Sequence, residues 1–122
     1  QLIKGGLKTE AGKNRIIPIH PRILPLIQKR ATQGYEYLIV NSKNKKIAYQ
    51  KYYQRWNPIM KKIGADKTVH EARHTFETFL DDAGGNRKCI DMLMGHKSTD
   101  IGNRVYNHKT IDQLRDTILL LK

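Results

Sequence analysis

Residues 70–85 read HEARHTFETFLDDAGG, and this stretch decides the fold class. Its apolar side chains recur at the spacing of one helical face, at Ala72, Phe76, Phe79, Leu80 and Ala83. The two glycines that follow are typical of the residues at which a helix ends. The pattern predicts a helix over residues 70–83, and His70 and Arg73, three positions apart, can face the same side of it.

The same periodicity predicts that most of the remaining chain is helical. Further helices are expected over residues 21–33, 49–63, 86–94, 98–107 and 111–121. Pro21 suits the first turn of the earliest of them, and Thr110 is the expected cap of the last. Gly64 and Gly95 are expected to end two others, and Pro58 can kink or divide the helix over 49–63.

A small sheet is predicted near the start of the chain. Residues 14–20 are rich in Ile and contain or adjoin two prolines that halt a strand ladder, so they are predicted to form a strand. An earlier strand near residues 2–8 can pair with it as a hairpin with its tip near residues 10–13. Residues 37–40 are a further β-prone run, and residues 43–46 form a basic turn. The fold class is thus α+β, mostly helical with a small antiparallel β-hairpin.

Length and composition narrow the class of protein. The 122 residues are enough for one compact domain. No apolar run could span a bilayer and no signal-peptide pattern is present, so a membrane is not an expected partner. The single cysteine, Cys89, fits a reducing compartment and allows neither an internal disulfide nor a metal cluster. We therefore expect a cytoplasmic protein.

The charge balance favours a polyanionic partner. Lys and Arg number 23 against 11 acidic residues, a formal net charge of +12, and cations on a surface bind phosphates by releasing their counterions. A basic surface without a partner is the plainer alternative, and for residues 43–46 that means a merely solvated turn. The candidate DNA contacts are Lys13, Arg15, Lys43, Lys45, Lys46, Lys51 and Arg55.

Several side chains are assigned to packing. Trp56, Phe76 and Phe79 are interpreted as core, whereas Tyr52 and Tyr53 fit either the core or a surface that faces DNA. Three histidines are interpreted as hydrogen-bonded structural residues, namely His20, His74 and His108.

Five residues form a set that can handle a phosphodiester. An arginine such as Arg73 can bind two phosphate oxygens at once, and His70 and His96 can donate hydrogen bonds or move protons near neutral pH. The hydroxyl of Tyr106 can act as a nucleophile once it loses its proton. Lys8, near the predicted hairpin tip, can protonate a leaving oxygen. Cations around the phosphate make a metal unnecessary.

Four segments in chain order resemble the active-site boxes of tyrosine recombinases, the phage integrase family. HEARHT at 70–75 resembles their His-x-x-Arg-His-Thr box, and LMGHKS at 93–98 resembles their Leu-Gly-His-x-Ser box. VYNH at 105–108 resembles the segment around their nucleophilic tyrosine. LKT at 7–9, followed by RIIPI at 15–19, resembles their catalytic-lysine hairpin. Each box alone is a weak signal, but the four in order cover nearly the whole chain.

The resemblance implies a DNA breaking and rejoining enzyme. By that resemblance Tyr106 attacks the scissile phosphate and forms a 3′-phosphotyrosyl link, and Arg73 clamps the phosphate. His70 takes part in proton transfer and phosphate contact, His96 donates a hydrogen bond to the phosphate, and Lys8 is the acid toward the 5′ oxygen. Neither ATP nor a metal or other cofactor is required, since a 5′ hydroxyl from another strand reverses the step.

The chain departs from the family pattern in one respect. The family has a second catalytic arginine, in an Arg-x-x-Glu type box upstream of the hairpin, and an N-terminal core-binding domain. Neither is found in residues 1–122, so we expect a catalytic-domain fragment that is inactive alone. The implied partners are double-stranded DNA and further copies of the chain, as a tetramer on DNA. The apolar helix over 111–121 can dock in trans on a neighbouring subunit or pack on its own domain.

Two rival functions remain. The first is a non-catalytic DNA-binding module of the same fold. The second is a zinc hydrolase, because His70-Glu71-x-x-His74 also matches the helix on which two histidines bind zinc and a glutamate acts as base. That reading needs a third ligand, and the extended pattern fails because Glu77 and Leu80 stand where Gly and His would be required.

Overall fold

The computed structural model describes residues 1–5, 13–96 and 108–122. In chain order its elements are β1 (Leu2–Gly5), β2 (Arg15–Pro18), α1 (Leu24–Ala31), α2 (Tyr49–Lys62), α3 (Val69–Asp82), α4 (Arg87–Met94) and α5 (His108–Ile118). This part of the chain is mostly helical with one two-stranded sheet, which confirms the predicted fold class. The predicted hairpin tip, apart from its last residue, and the whole predicted helix over 98–107 lie outside the described residues.

The sheet is an antiparallel pair. Ile3 lies opposite Ile17, and Gly5 lies opposite Arg15. One more backbone hydrogen bond, from the Ile19 N–H to the Gln1 carbonyl at 3.1 Å, continues the pairing beyond the strands. The strand predicted over residues 14–20 is therefore confirmed over its central part.

The chain divides into two compact units. The first unit consists of Gln1–Pro21 and Phe76–Lys122, and the second of Arg22–Thr75. In the first unit the side chains of Leu80, Ile90 and Leu114 are fully buried. Around them lie the other core residues, namely Cys89, Leu93, Met94 and Ile118, with Ile17, Phe76, Met92 and Leu121 packed against them.

Helix α5 belongs to the core of the first unit. It packs against α4 and β2, with Leu114 and Ile118 buried and the Thr117 hydroxyl donating to the Gln113 carbonyl at 2.8 Å. The imidazole Nε2 of His20 lies 3.0 Å from the carbonyl oxygen of Leu121, so His20 ties β2 to the chain end as a structural histidine. Of the two alternatives for the final helix, packing on its own domain is the one observed in the single chain.

Helix α1 begins later than predicted. It starts at Leu24 with Pro25 in its first turn, so the placement of Pro21 in the first turn was wrong. A helix that began at Pro21 would hold Pro25 in its interior, where the ring clashes with a carbonyl and the missing N–H breaks a hydrogen bond.

Other predictions need smaller corrections. Residues 37–40 do not form a strand, and Val40 makes only an isolated bridge with Lys46. Thr110 lies inside α5, so its capping role was wrong. Pro58 lies within α2 and does not divide it. The core interpretation holds for Phe76 but was wrong for Phe79, whose side chain is 59% exposed.

The second unit is less buried than the first. Trp56 is half-buried, and its indole N–H donates to the Lys67 carbonyl at 2.7 Å. Tyr52 and Tyr53 are also half-buried, and the Tyr52 ring stacks on Trp56 at 6.3 Å between centroids. In the described ranges of the chain, no helix is long and apolar enough to cross a membrane.

Candidate functional site

The helix that carries His70 and Arg73 begins with a reciprocal pair of hydrogen bonds. The backbone N–H of Thr68 donates to Glu71 Oε2 at 2.8 Å, and the backbone N–H of Glu71 donates to Thr68 Oγ1 at 3.2 Å. This is a capping box, which satisfies two N–H groups that a helix start otherwise leaves without partners. The Thr-x-x-Glu pattern was present in the sequence, so this cap could have been found there.

The capping box also acts on the charge of Glu71. The hydrogen bond from the Thr68 backbone lowers the pKa of the Glu71 carboxyl below its ordinary value, with smaller contributions from the Thr68 hydroxyl and from Lys67. The carboxylate is therefore tied to the start of α3.

His70 and Arg73 lie on α3 as the sequence predicted. Arg73 is half-buried and His70 is exposed. The Nε2 atom of His70 lies 3.2 Å from Nε2 of His74, and the two rings meet edge to face with centroids 4.7 Å apart. His74, interpreted as a structural histidine, is thus the partner of His70 one helical turn away.

His96 is held at the end of α4 by its backbone. Asn86 caps the start of this helix by accepting a hydrogen bond from the Cys89 N–H at 3.2 Å. At the other end Gly95 adopts a left-handed conformation with φ of 69°, and the His96 N–H donates to the Asp91 carbonyl at 2.9 Å. A side chain on Gly95 would be strained there, which explains the glycine before the histidine.

The side chain of His96 faces two carboxylates. Its Nδ1 atom lies 3.6 Å from Asp91 Oδ1 and 4.0 Å from Glu77 Oε1. The imidazole itself is 43% exposed, so it remains open to a ligand.

Both of these carboxylates bind the same arginine. Arg87 lies 2.6 Å from Glu77, 2.8 Å from Asp81 and 2.9 Å from Asp91, and we call these four residues the Arg87 cluster. The hydrogen bond to Glu77 is the largest cause of a raised pKa of the Arg87 guanidinium, and the charges of the three carboxylates add to it. No sequence motif predicted this cluster.

Three observations on the described residues bear on the zinc alternative. Their only group of three close ligand atoms is Glu77, Asp91 and His96, within 4.8 Å of one another, and Arg87 already forms ion pairs with both of its carboxylates. Next to His70 and His74, no third ligand is found in these ranges. Glu71, the base in that reading, has its carboxylate engaged in the capping box.

The second unit holds most of the excess positive charge. Residues 22–75 contain 12 Lys and Arg against 3 Asp and Glu, a net charge of +9, whereas the rest of the chain contains 11 against 8, a net charge of +3. Phosphate attraction is therefore expected to be strongest at this unit.

The basic turn predicted over residues 43–46 is confirmed. The Asn41 side-chain oxygen accepts from the backbone N–H of Lys43 at 2.9 Å and of Lys45 at 3.1 Å. Lys43, Lys45 and Lys46 are exposed, and the Lys46 ammonium lies 6.0 Å from the centre of the Tyr37 ring.

The cations on α2 lie nearby in sequence but have different surroundings. Lys51 and Arg55 are both exposed and one helical turn apart. Arg55 also borders a mainly apolar groove of about 410 Å³ between α1, α2 and the segment before the basic turn. The groove is lined by Ile23, Leu26, Ile27, Arg30, Leu38, Ile39, Val40 and Arg55.

The remaining predicted site residues belong to the first unit or to segments that are not described. Lys13 is exposed, and Arg15 is half-buried on β2. Lys8 and Tyr106 lie outside the described residues. His70 and Arg73 share one helix, and His96 lies with the Arg87 cluster.

Comparison with known proteins identifies the family. Residues 5–112 match the phage integrase family, a range that contains Lys8, His70, Arg73, His96 and Tyr106. The chain belongs to this family of tyrosine recombinases, whose members act in DNA recombination and integration.

Curated relatives agree with this assignment. The chain is 29% identical over 122 residues to the tyrosine recombinase XerA of Pyrococcus furiosus. This alignment covers 95% of the chain and 41% of the relative. It is 28% identical to the tyrosine recombinase XerC of Staphylococcus saprophyticus over 90% of this chain and 40% of that protein. The chain thus spans about two fifths of the length of these relatives. No solved structure matches the chain.

Proposed function

We propose that this chain supplies the nucleophile and most of the phosphate-binding groups of a site-specific DNA recombinase. The observation that carries the proposal is the family match over residues 5–112, because this range includes the five candidate residues, whose segments resemble the family's boxes in order. The hydroxyl oxygen of Tyr106 attacks the scissile phosphorus, the bond to the 5′ oxygen breaks, and a 3′-phosphotyrosyl link forms. A 5′ hydroxyl from another strand then attacks this link and releases Tyr106.

Each of the other residues stabilises part of this reaction. Arg73 binds two non-bridging oxygens, where negative charge accumulates in the transition state. His70 contacts the phosphate and takes part in proton transfer, and its pairing with His74 supports this role by fixing one ring nitrogen. His96 donates a hydrogen bond to the phosphate, and Lys8 protonates the leaving 5′ oxygen.

The clamp needs one further cation. The family resemblance implies a second arginine in an Arg-x-x-Glu box, and residues 1–122 contain no such box. We propose that a segment outside these residues provides it, together with a core-binding domain. Loss of one charge-stabilising group costs about 3 kcal/mol in the transition state by analogy with an oxyanion donor, so residues 1–122 alone are expected to be inactive.

The basic residues of the second unit are proposed to hold the DNA backbone. The ordered turn that presents Lys43, Lys45 and Lys46 supports phosphate contact, because three cations stand on a backbone fixed by Asn41. Lys51 and Arg55 extend this surface along α2, and Lys13 and Arg15 are the proposed contacts from the hairpin.

The proposed assembly on DNA is a tetramer of recombinase subunits. Because α5 packs on its own unit, the apolar residues left for a neighbouring subunit are Leu119 and Leu120, which are 49% and 36% exposed. Docking in trans is thus proposed for the end of the 111–121 segment rather than for its buried face.

A covalent trap tests the catalytic assignment. The full-length protein is incubated with a nicked duplex, chosen by binding selection from a random-sequence library, and is run on a denaturing gel. The expected result is a protein–DNA adduct that disappears in Tyr106→Phe while DNA binding is retained. An adduct that survives this substitution contradicts the role of Tyr106. Specific binding without any adduct would instead favour the non-catalytic DNA-binding module.

A further inference from the structure

The Arg87 cluster adjoins a proposed catalytic residue, yet none of its members lies in the four family-like boxes. Two of its carboxylates, those of Asp91 and Glu77, are the groups that face Nδ1 of His96. The same two carboxylates lie 2.9 Å and 2.6 Å from the Arg87 guanidinium. One cation thus binds both groups against which the imidazole rests.

We propose that Arg87 is a positioning residue for His96. It fixes Asp91 and Glu77 so that their carboxylates hold the Nδ1 side of the ring and leave Nε2 for the scissile phosphate. This inference rests on the proposed function of His96 and adds a residue for which the sequence motifs give no role.

Asp91 restrains both the backbone and the ring of His96. Its backbone N–H is bonded to the carbonyl of Asp91, and its ring faces the carboxylate of the same residue. The Asp91 carboxylate would rotate freely if it were not bound, because it is only half-buried at the surface of α4. Its ion pair with Arg87, one helical turn earlier, removes this freedom.

The acceptors around Nδ1 decide which ring nitrogen carries the proton. A carboxylate next to Nδ1 favours an N–H at that atom, and in the protonated ring it leaves the Nε2–H free to donate. A phosphate oxygen is an acceptor, so the proposed role requires a second N–H at Nε2, which only the doubly protonated ring offers. A comparable outer shell of carboxylates orients histidines in metal sites.

The shape of an arginine side chain suits it to bind three carboxylates in this way. Its planar fork presents several N–H donors in fixed directions, and here Nη2 reaches Glu77 and Asp91 while Nη1 reaches Asp81. Arg87→Lys keeps the charge but offers a single ammonium, so we expect it to restore only part of the function.

A double-mutant cycle in the full-length protein tests whether Arg87 acts through His96. We expect Arg87→Gln to slow single-turnover adduct formation about 10-fold, a typical effect of losing an outer-shell partner. In the His96→Ala background the same substitution should change the rate less than about 2-fold, because the ring it positions is gone. Lys88→Gln is the matched control: it removes a cation from the next position of α4, and Lys88 makes no ion pair within the described residues.

A second readout does not depend on activity. The ¹⁵N shifts of the His96 ring report which of its nitrogens carry a proton, and in the wild-type protein we expect an N–H at Nδ1. Arg87→Gln and Asp91→Asn should both move the signals toward those of a free imidazole, while Lys88→Gln should not. Thermal unfolding of each variant confirms that the protein is folded, and Asp91→Asn leaves two of the ion pairs of Arg87 in place.

The outcomes separate this inference from the proposed function. An equal rate loss in both backgrounds, or unchanged ring signals in Arg87→Gln, would overturn the positioning role. A wild-type protein that forms no adduct contradicts the proposed function, and the ring signals still decide whether Arg87 orients His96.

Discussion

At the residue scale, Glu71 has a structural role in the capping box, although the His70-Glu71-x-x-His74 pattern would make it the base of a zinc hydrolase. Its Oε2 accepts the Thr68 N–H, and its Oε1 lies 3.8 Å from the Lys67 ammonium. These contacts favour the charged form in the folded chain, which is why the pKa of Glu71 is lowered. The residue between His70 and Ala72 thus helps to set where α3 begins.

The lowered pKa predicts how stability depends on pH. Since the folded state favours the carboxylate, Glu71 stabilises the protein above its ordinary pKa of 4.5, and this contribution is lost as the pH falls through the lowered value. Glu71→Gln should therefore melt at a lower temperature than the wild-type protein at pH 7, and the difference should shrink as the pH falls below the ordinary pKa of 4.5. Thermal unfolding followed by circular dichroism across this range measures it.

Lys67→Met is the control for this prediction. The substitution removes the ion pair between Lys67 and Glu71, which lowers the pKa of Glu71 less than the capping box does. The variant should therefore keep most of the pH dependence of stability. If Lys67→Met abolishes the pH dependence and Glu71→Gln does not, the capping box is not its source.

At the element scale, the corner between α3 and α4 depends on two different glycines. Gly84 has a φ of +76°, and nothing lies within 4 Å of where its Cβ would be. A Cβ on Gly85 would instead lie 2.8 Å from the Leu80 carbonyl oxygen and 3.2 Å from Ile90 Cδ1. The first glycine is required by backbone conformation and the second by close packing.

These two causes predict different substitution patterns. Gly84→Ala should lower the free energy of unfolding by about 1–2 kcal/mol because of the left-handed backbone, and Gly84→Asn should cost less because Asn tolerates that conformation. Gly85→Ala should cost about 1–3 kcal/mol through overpacking, and Gly85→Asn should cost at least as much. Chemical denaturation of the four variants measures this, and a Gly85→Asn that is milder than Gly85→Ala would contradict the packing argument.

The contact of α5 with its own unit yields a second prediction at this scale. Leu114 is fully buried, so Leu114→Ala should lower the free energy of unfolding by about 2–5 kcal/mol. Leu119 is 49% exposed on the turn after the helix, and Leu119→Ala is the matched control. It should lower the free energy of unfolding by about 0.5 kcal/mol or less. Equal losses in urea denaturation would show that α5 does not pack as described.

Local signals account for what the sequence could predict. Periodic apolar residues and terminal glycines predicted helices near α2, α3 and α4, because these signals act within a few residues. The start of α1 was misplaced because both Pro21 and Pro25 fit the first turn of a helix, and the prediction used Pro21. At the site, His70 and Arg73 could be placed together because one helix carries both. The Arg87 cluster could not be predicted, because the contacts of Arg87 with Glu77 and Asp81 join α4 to α3 and depend on tertiary packing.

At the scale of the whole molecule, charge is divided unevenly along the chain. The second unit carries a net charge of +9 and includes the exposed turn with Lys43, Lys45 and Lys46. Phosphate contacts release counterions, so binding through this surface must weaken as salt increases.

The salt dependence of DNA binding can be used to count these contacts. If the three lysines of the turn each contact a phosphate, replacing all three by Gln should reduce the slope of log K against log salt by about 2.7, or about 0.9 per contact. A control with the same loss of charge, Lys88, Arg115 and Lys122 replaced by Gln, should leave the slope nearly unchanged. Fluorescence anisotropy at several salt concentrations measures both, and equal slopes would assign the effect to net charge alone.

The way α4 ends has a consequence for the accessibility of His96. Its amide hydrogen is bonded to the Asp91 carbonyl at 2.9 Å, whereas its imidazole is 43% exposed. Hydrogen exchange at this amide should therefore be slow even though solvent reaches the ring, because exchange requires the end of the helix to open. A protected His96 amide in the absence of DNA would mean that the backbone at the end of α4 is already ordered before DNA binds.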